Sequence, residues 1–289
     1  MTTTIRNVTP NDAPICGHII YEAFKTVQDR HGFAPDFPSV EAATDFARML
    51  TTHPGIFGVV AETEAKTVAS GFLWQRDPVR GIGPVTVDPH HQGQGTGRLV
   101  MNALLDRTTG VAGVRLVQDA FNPCSFALYA SLGFVVREPL MLMQGTPKSM
   151  PENKADTSVR PLTEADIGAC AALAERIHGY DRGSELRDAV GFLKPLVVER
   201  GGRLRGYVTM PTFWPANHGV AETSEDMAAL LWGAALRINA PLSLLVPTRQ
   251  TEFLRWCLRE GLRCVKPMTL MTIGAYREPK GAYFPSVIY

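Results

Sequence analysis

Apolar positions along the chain switch several times between two periods, and the switches predict the elements. Ile15, Ile19, Ile20, Ala23 and Phe24 fall at helical spacing, predicting an amphipathic helix capped by Asn11 or Asp12 and preceded by an edge strand near residues 4–8. A second helical stretch covers about 40–51. Phe57 to Ala61, Thr67 to Trp74 and Gly83 to Val87 are short apolar segments separated by polar turns, which predicts antiparallel hairpins. Leu99, Val100, Ala103 and Leu104 then return to helical spacing. The first half reads strand, two helices, three strands, helix, strand, helix, strand.

The pattern repeats. Ile5-Arg6-Asn7-Val8-Thr9 with Asp12 resembles Val159-Arg160-Pro161-Leu162-Thr163 with Asp166, at an offset of 154. Leu116, Gly133, Pro139, Leu142 and Met143 return as Leu244, Gly261, Pro267, Leu270 and Met271, at an offset of 128. Between the halves, Gly145 to Thr157 has linker composition. The expected division is 1–147, a linker over 148–157, and 158–289. In the second half, strands are expected near 194–200, 204–210 and 242–246, a helix at 249–260, and a closing strand over Tyr283 to Tyr289.

Composition narrows the class of protein. A chain of 289 residues with 45% hydrophobic and 20% charged positions is long enough for two cores without covalent staples. A net charge of +1 provides no global field for nucleic acid or an anionic membrane, so neither partner is expected. Cys16, Cys124, Cys170, Cys257 and Cys264 are scattered and contain no C-x-x-C, which fits reduced thiols. His90 and His91 lack metal-ligand spacing, so no metal is expected. The start has no apolar leader and no segment reaches membrane-span length, which predicts a soluble cytoplasmic protein.

The candidate chemistry follows the third hairpin strand. Val85-Thr86-Val87-Asp88-Pro89-His90-His91-Gln92-Gly93-Gln94-Gly95-Thr96-Gly97-Arg98 reads as strand, glycine-rich turn and helix start. Successive backbone N–H groups and the positive helix terminus can there face a phosphate. Gln92 to Gly97 resembles the Q/R-x-x-G-x-G/A acetyl-coenzyme A signature of the GNAT superfamily of N-acetyltransferases. Asn122, Tyr129 and Leu132-Gly133-Phe134 resemble that family's second conserved stretch. The resemblance implies an α+β fold of two tandem GNAT-like domains, each a central, mostly antiparallel mixed sheet flanked by helices. It implies that Val85 and Val87 pair with the pantetheine arm, and that Gln92, Gly93, Gln94, Gly95, Thr96, Gly97 and Arg98 hold the pyrophosphate. It further implies that Asn122 bonds the pantetheine and that Tyr129 protonates the departing thiolate.

Asn122 followed by Pro123 also reads independently as a helix cap, with Ser125 and Tyr129 on the same face; the resemblance then implies that Ser125 and Tyr129 belong to the cofactor-binding set. The reaction expected is direct attack of a primary amine of a small-molecule acceptor on the thioester of acetyl-coenzyme A. Many members of the family the chain resembles place a carboxylate on the fourth strand, but Gly81-Ile82-Gly83-Pro84 has none, so the sequence identifies no base; Asp119, Glu22 and Asp36 are candidates acting through water. Glu22, Phe33 and Asp36 between the first two helices, with Asp119, are the acceptor-binding candidates.

In the second half the cradle position reads Ala-Glu-Thr-Ser-Glu-Asp-Met after Val220, acidic and without glycine, while Gln250 and Cys257 replace Asn122 and Tyr129. This predicts a half that has lost cofactor binding and either walls the acceptor cleft or binds a regulatory ligand; His178, Tyr180, Asp181 and Arg182 form a polar cluster there. The alternative function is a non-catalytic acyl-coenzyme A or metabolite sensor. A monomer and a homodimer are both compatible with the sequence.

Overall fold

The computed structural model describes residues 2–149 and 156–287. The first half is β1 (Thr3–Asn7), α1 (Ala13–His31), α2 (Val40–Thr52), β2 (Ile56–Thr63), β3 (Lys66–Trp74), β4 (Val79–Val87), α3 (Thr96–Leu105), β5 (Gly113–Asp119), α4 (Pro123–Ser131) and β6 (Val135–Gly145). The second half repeats the order: β7 (Thr157–Pro161), α5 (Ile167–His178), α6 (Gly183–Phe192), β8 (Leu196–Arg200), β9 (Arg203–Val208), β10 (Gly219–Ala221), α7 (Ser224–Ile238), β11 (Leu242–Pro247), α8 (Thr251–Arg259), β12 (Arg263–Gly274) and β13 (Ala282–Phe284). The closing strand is shorter than expected, and Ile288 and Tyr289 lie outside the described residues, as do 150–155 of the linker. No helix among the described residues is long and apolar enough to cross a membrane.

The sequence repeat corresponds to a repeated ion-paired corner. Arg6 Nη1 and Nη2 donate to Asp12 at 2.8 and 2.7 Å, and Arg6 Nε donates to Glu62 at 2.9 Å. Arg160 makes the same contacts to Asp166, at 2.7 and 2.8 Å, and to Glu199. Asp12 and Asp166 also close capping boxes with Thr9 and Thr163. The stripe of α1 differs at one end: Ile15 is exposed, and Cys16 takes its place in the core with Ile19, Ile20 and Ala23. Gly17 is required where α1 crosses α2, because a Cβ there would lie 2.4 Å from the Thr44 backbone.

The sheets do not divide where the repeats divide. One sheet has the order β1-β2-β3-β4-β5-β12-β6-β11, the other β13-β10-β9-β8-β7. Strands β11 and β12 of the second half thus complete the first-half sheet, with β12 inserted between β5 and β6. Leu140 on β6 sits opposite Met268 on β12, its own counterpart at the offset of 128, so an axis of pseudo-twofold symmetry passes through this pair. Each half lends its last long strand to the other. Val79, Leu140, Leu142, Leu245, Met268 and Leu270 bury together as a core belonging to both halves.

The Arg6 guanidinium and the Thr9 cap hold the Asp12 carboxyl well below the usual carboxylate range, and Arg160 with Thr163 does the same for Asp166. A depressed folded pKa stabilises above the unfolded value, so this contribution is present above about pH 4 and is lost progressively as the pH falls below it. Asp12→Ala and Asp166→Ala are each expected to lower unfolding free energy by about 1–3 kcal/mol at neutral pH, measured by chemical denaturation, with the deficit shrinking below pH 4.

Candidate functional site

Strands β4 and β5 pair in parallel only through Val79–Gly81 and Gly113–Arg115. Beyond Gly81 they separate and leave a cleft of about 720 Å³ between the free edge of β4, the end of β5, α4 and the 92–98 loop. Val85, Val87, Gln92, Gly93, Gly95, Gly97, Arg98, Asn122, Ser125, Tyr129, Asp36 and Asp119 all line it.

At one end of the cleft, the backbone N–H groups of Gln92 to Gly97 donate to no backbone carbonyl among the described residues. They surround the N-terminus of α3, whose orphan donors and partial positive charge favour an anion. The chain is turned into this shape by Asp88, whose Oδ1 accepts from His90 N at 2.8 Å, and by Gln92 Nε2, which donates to Val87 O at 3.0 Å. Gly93 and Gly95 have φ of +76° and +87°, and a Cβ on either would meet nothing within 4 Å. Glycine is therefore needed there for the left-handed backbone, with clearance following from it. Arg98 is anchored to Ser131 Oγ at 2.6 Å, which leaves its charge beside the loop. The side chains of Gln94 and Thr96 do not line the cleft: Gln94 is exposed, and Thr96 is buried in the first turn of α3, so both can serve only through their N–H groups.

Along the wall, Asn122 caps α4 by accepting from Ser125 N at 3.2 Å, and Ser125 Oγ donates to Gln118 Oε1 at 2.9 Å. One turn on, Tyr129 is buried against Phe134 with its ring on the cleft. Burial, reinforced by the charge of Asp119, pushes its hydroxyl up to about 12. The phenol stays protonated at neutral pH and can act as a proton donor.

The opposite end carries charge from both halves. Lys266 on β12 places Nζ 2.8 Å from Asp36 Oδ2 and 2.6 Å from Asp119 Oδ1, with all three side chains at most 7% exposed. Trp214 covers the lysine at 5.2 Å. Trp214, Met268 and Val287, all from the second half, line the cleft facing Phe24, Val27 and Arg30 of α1. Lys266, Trp214, Met268 and Val287 were not singled out from sequence as site residues, and nothing in the strand Arg263–Gly274, which also carries Arg263, marks the lysine as buried. Glu22 and Phe33 fall off the cleft wall. Glu22 is half-buried along α1, and Phe33 stacks on Phe121 at 4.3 Å, which ties its loop to the turn between β5 and α4.

In the second half, the same free edge is occupied. Strand β13 pairs antiparallel with β10, Val220 opposite Tyr283, on the edge that β4 leaves open. Gln250, at the start of α8 where Asn122 starts α4, donates through Nε2 to Tyr283 O at 3.0 Å and accepts from Tyr283 N at 3.1 Å. The chain's own backbone thus fills that groove. The start of α7 is capped by Thr223, and buried Asp226 beside it pairs with Arg200, so no anion cradle remains. Cys257 is buried in apolar surroundings, which push its thiol up. His178, Tyr180 and Arg182 are core residues away from the cleft; Tyr180 accepts a hydrogen bond from Arg115, and Arg182 pairs with Glu185, whose carboxyl burial pushes up to about 7.

Residues 54–136 match the family model described as Acetyltransferase (GNAT) domain. No curated protein sequence matches the chain significantly. Among solved structures, a putative acetyltransferase from Pyrococcus horikoshii is similar with a TM-score of 0.75 at 18% identity, over 98% of this chain and 94% of that one. A GCN5-related N-acetyltransferase from Sphaerobacter thermophilus gives 0.64 at 16% identity over 97% and 98%. A tandem GNAT protein from the clavulanic acid biosynthesis pathway gives 0.60 at 14% identity over 96% and 99%. At these identities the likeness is one of fold, and it spans both halves. The chain therefore matches a GNAT acetyltransferase domain over residues 54–136 and shares, over nearly its whole length, the fold of a tandem GNAT protein.

Proposed function

We propose that the first half binds acetyl-coenzyme A and transfers its acetyl group to a primary amine of a small-molecule acceptor. The observation that carries this reading is the joining, in one cleft, of an open row of backbone N–H donors at one end, the protonated Tyr129 on the wall, and buried carboxylates at the other end. The pyrophosphate belongs on the 92–97 amides beside Arg98, and the free edge of β4 at Val85 and Val87 offers backbone partners to the pantetheine. The thioester then lies near Tyr129. A neutral amine attacks the carbonyl, the tetrahedral oxyanion collapses, and the thiolate accepts the phenolic proton. Trp214, Met268 and Val287 narrow the acceptor side, which favours a small acceptor.

Titration calorimetry is expected to find one acetyl-coenzyme A site per chain, because β13 occupies the corresponding edge of the second half. Gly95→Glu with Gly97→Glu places two carboxylates in the anion cradle and is expected to weaken binding more than 100-fold, with a folded protein by circular dichroism. No binding to the wild type would overturn the reading. Tyr129→Phe is expected to lower kcat by about 10²-fold while the acetyl-coenzyme A Kd changes less than about threefold, measured by thiol release against free amines, amino acids and aminoglycosides.

A further inference from the structure

Asp36, Lys266 and Asp119 form a buried group of two carboxylates and one ammonium at the acceptor end of the cleft. With both carboxylates ionised the group has one surplus negative charge, and a protonated acceptor amine would supply the missing cation. The surroundings are specific. Asp36 is held by its backbone N–H donating to the fully buried Gln28 at 3.1 Å. Trp214 shields the lysine from one side, and Met268, two residues along β12, sits directly opposite Asp119 across the ladder. The other titratable or charged groups near Asp119 are His31 from α1 and Tyr129 from α4, and Arg30 lines the same cleft.

We propose that Asp119 is the base that takes a proton from the acceptor ammonium, and that Lys266 of the second half is the positioning residue that keeps this carboxylate ionised. The proposal rests on the transferase reading above and adds the base that β4 lacks. Burial raises the carboxyl of Asp119, as does the charge of Asp36, whereas Lys266 lowers it. These opposing influences suit a base, which is most effective when it titrates just below the working pH. Burial favours the neutral acid at this position, and the lysine beside it favours the anion.

The proton inventory closes. The ammonium gives one proton to Asp119, and the freed lone pair forms the N–C bond. The tetrahedral adduct loses its second nitrogen proton to water as the C–S bond breaks, the thiolate takes a proton from Tyr129, and Asp119 gives up to solvent the proton it took. Reprotonation of Tyr129 leaves one proton released to solvent per acetyl group transferred.

The test uses the full chain with acetyl-coenzyme A bound, in Lys266→Met, Lys266→Arg and Asp36→Asn variants. The titration of the Asp119 carboxyl is followed by carbon NMR, assigned by its loss in Asp119→Asn, alongside the pH profile of acceptor kcat/KM and the acetyl-coenzyme A Kd. In Lys266→Met the carboxyl titration and the acid limb of kcat/KM are expected to move up together by at least one pH unit, about tenfold less activity on that limb and recovery at high pH. Lys266→Arg is expected to restore both. Asp36→Asn is expected to move both downward, which keeps the proposal testable if the methionine variant does not fold. The Kd should stay within about twofold throughout. An unmoved carboxyl titration overturns the coupling to Lys266, and an acid limb that does not follow the carboxyl overturns Asp119 as base. Binding of acetyl-coenzyme A without acetylation of any amine overturns the transferase reading and the base with it, a result distinct from an unmoved titration.

Discussion

The antiparallel pairing of β6 with β12 is the contact on which the rest of the molecule depends. Between β5 and β6 there is a slot one strand wide, and a slot in a sheet is two unpaired edges whose N–H and C=O groups must find partners. The first half provides no strand for it. Strand β12 fills the slot, β11 covers the far edge of β6, and the register places Leu140 against Met268. A slip of one residue would turn the Lys266 side chain away from Asp36 and Asp119 toward the other face, so the register that buries the shared core also sets the charge beside this end of the cleft.

The two halves treat one geometric opening in opposite ways. In the first, divergence of β4 from β5 leaves a strand edge and a helix N-terminus without internal partners. In the second, β13 is added to that edge, Gln250 binds its backbone on both sides, and Thr223 with Asp226 completes the helix start. Unsatisfied backbone donors are costly in a closed core and useful where a ligand is to be received. The open groups of residues 92–97 are therefore the part of the fold left for an external partner.

The linear order of elements was legible in the sequence because it depends on local spacing, and so was the glycine-rich turn that leads into α3. The cap at Asn122 was legible for the same reason, whereas the Asp12 carboxylate makes no bond to the start of α1 and instead closes a capping box with Thr9 in the turn before it. Tertiary placement was not. An offset of 128 identifies which residues correspond, but not that the corresponding strands change places. Phe33 and Asp36 have equal standing as neighbours in one loop; only packing shows that the ring rests on Phe121 while the carboxylate turns into the cleft. Lys266 was overlooked because a single lysine in a strand reads as a solvent-facing position, and its two carboxylate partners lie far away along the chain. The spacing of Gly93 and Gly95 also does not reveal the left-handed backbone that demands glycine at both, which is a matter of φ.

The axis through Leu140 and Met268 has one more consequence. In a twofold assembly of identical subunits, equivalent positions carry the same residue, and any change at one is imposed on the other. Here Glu138 and Lys266 are equivalent positions with opposite charges. Glu138 pairs with Arg249 and accepts from Tyr276 on the second-half side, while Lys266 serves Asp36 and Asp119 on the first-half side. Joining both copies in one polypeptide removes the identity constraint and makes the exchanged strands independent of protein concentration. Covalent linkage is thus what permits a symmetric frame to have an asymmetric interior.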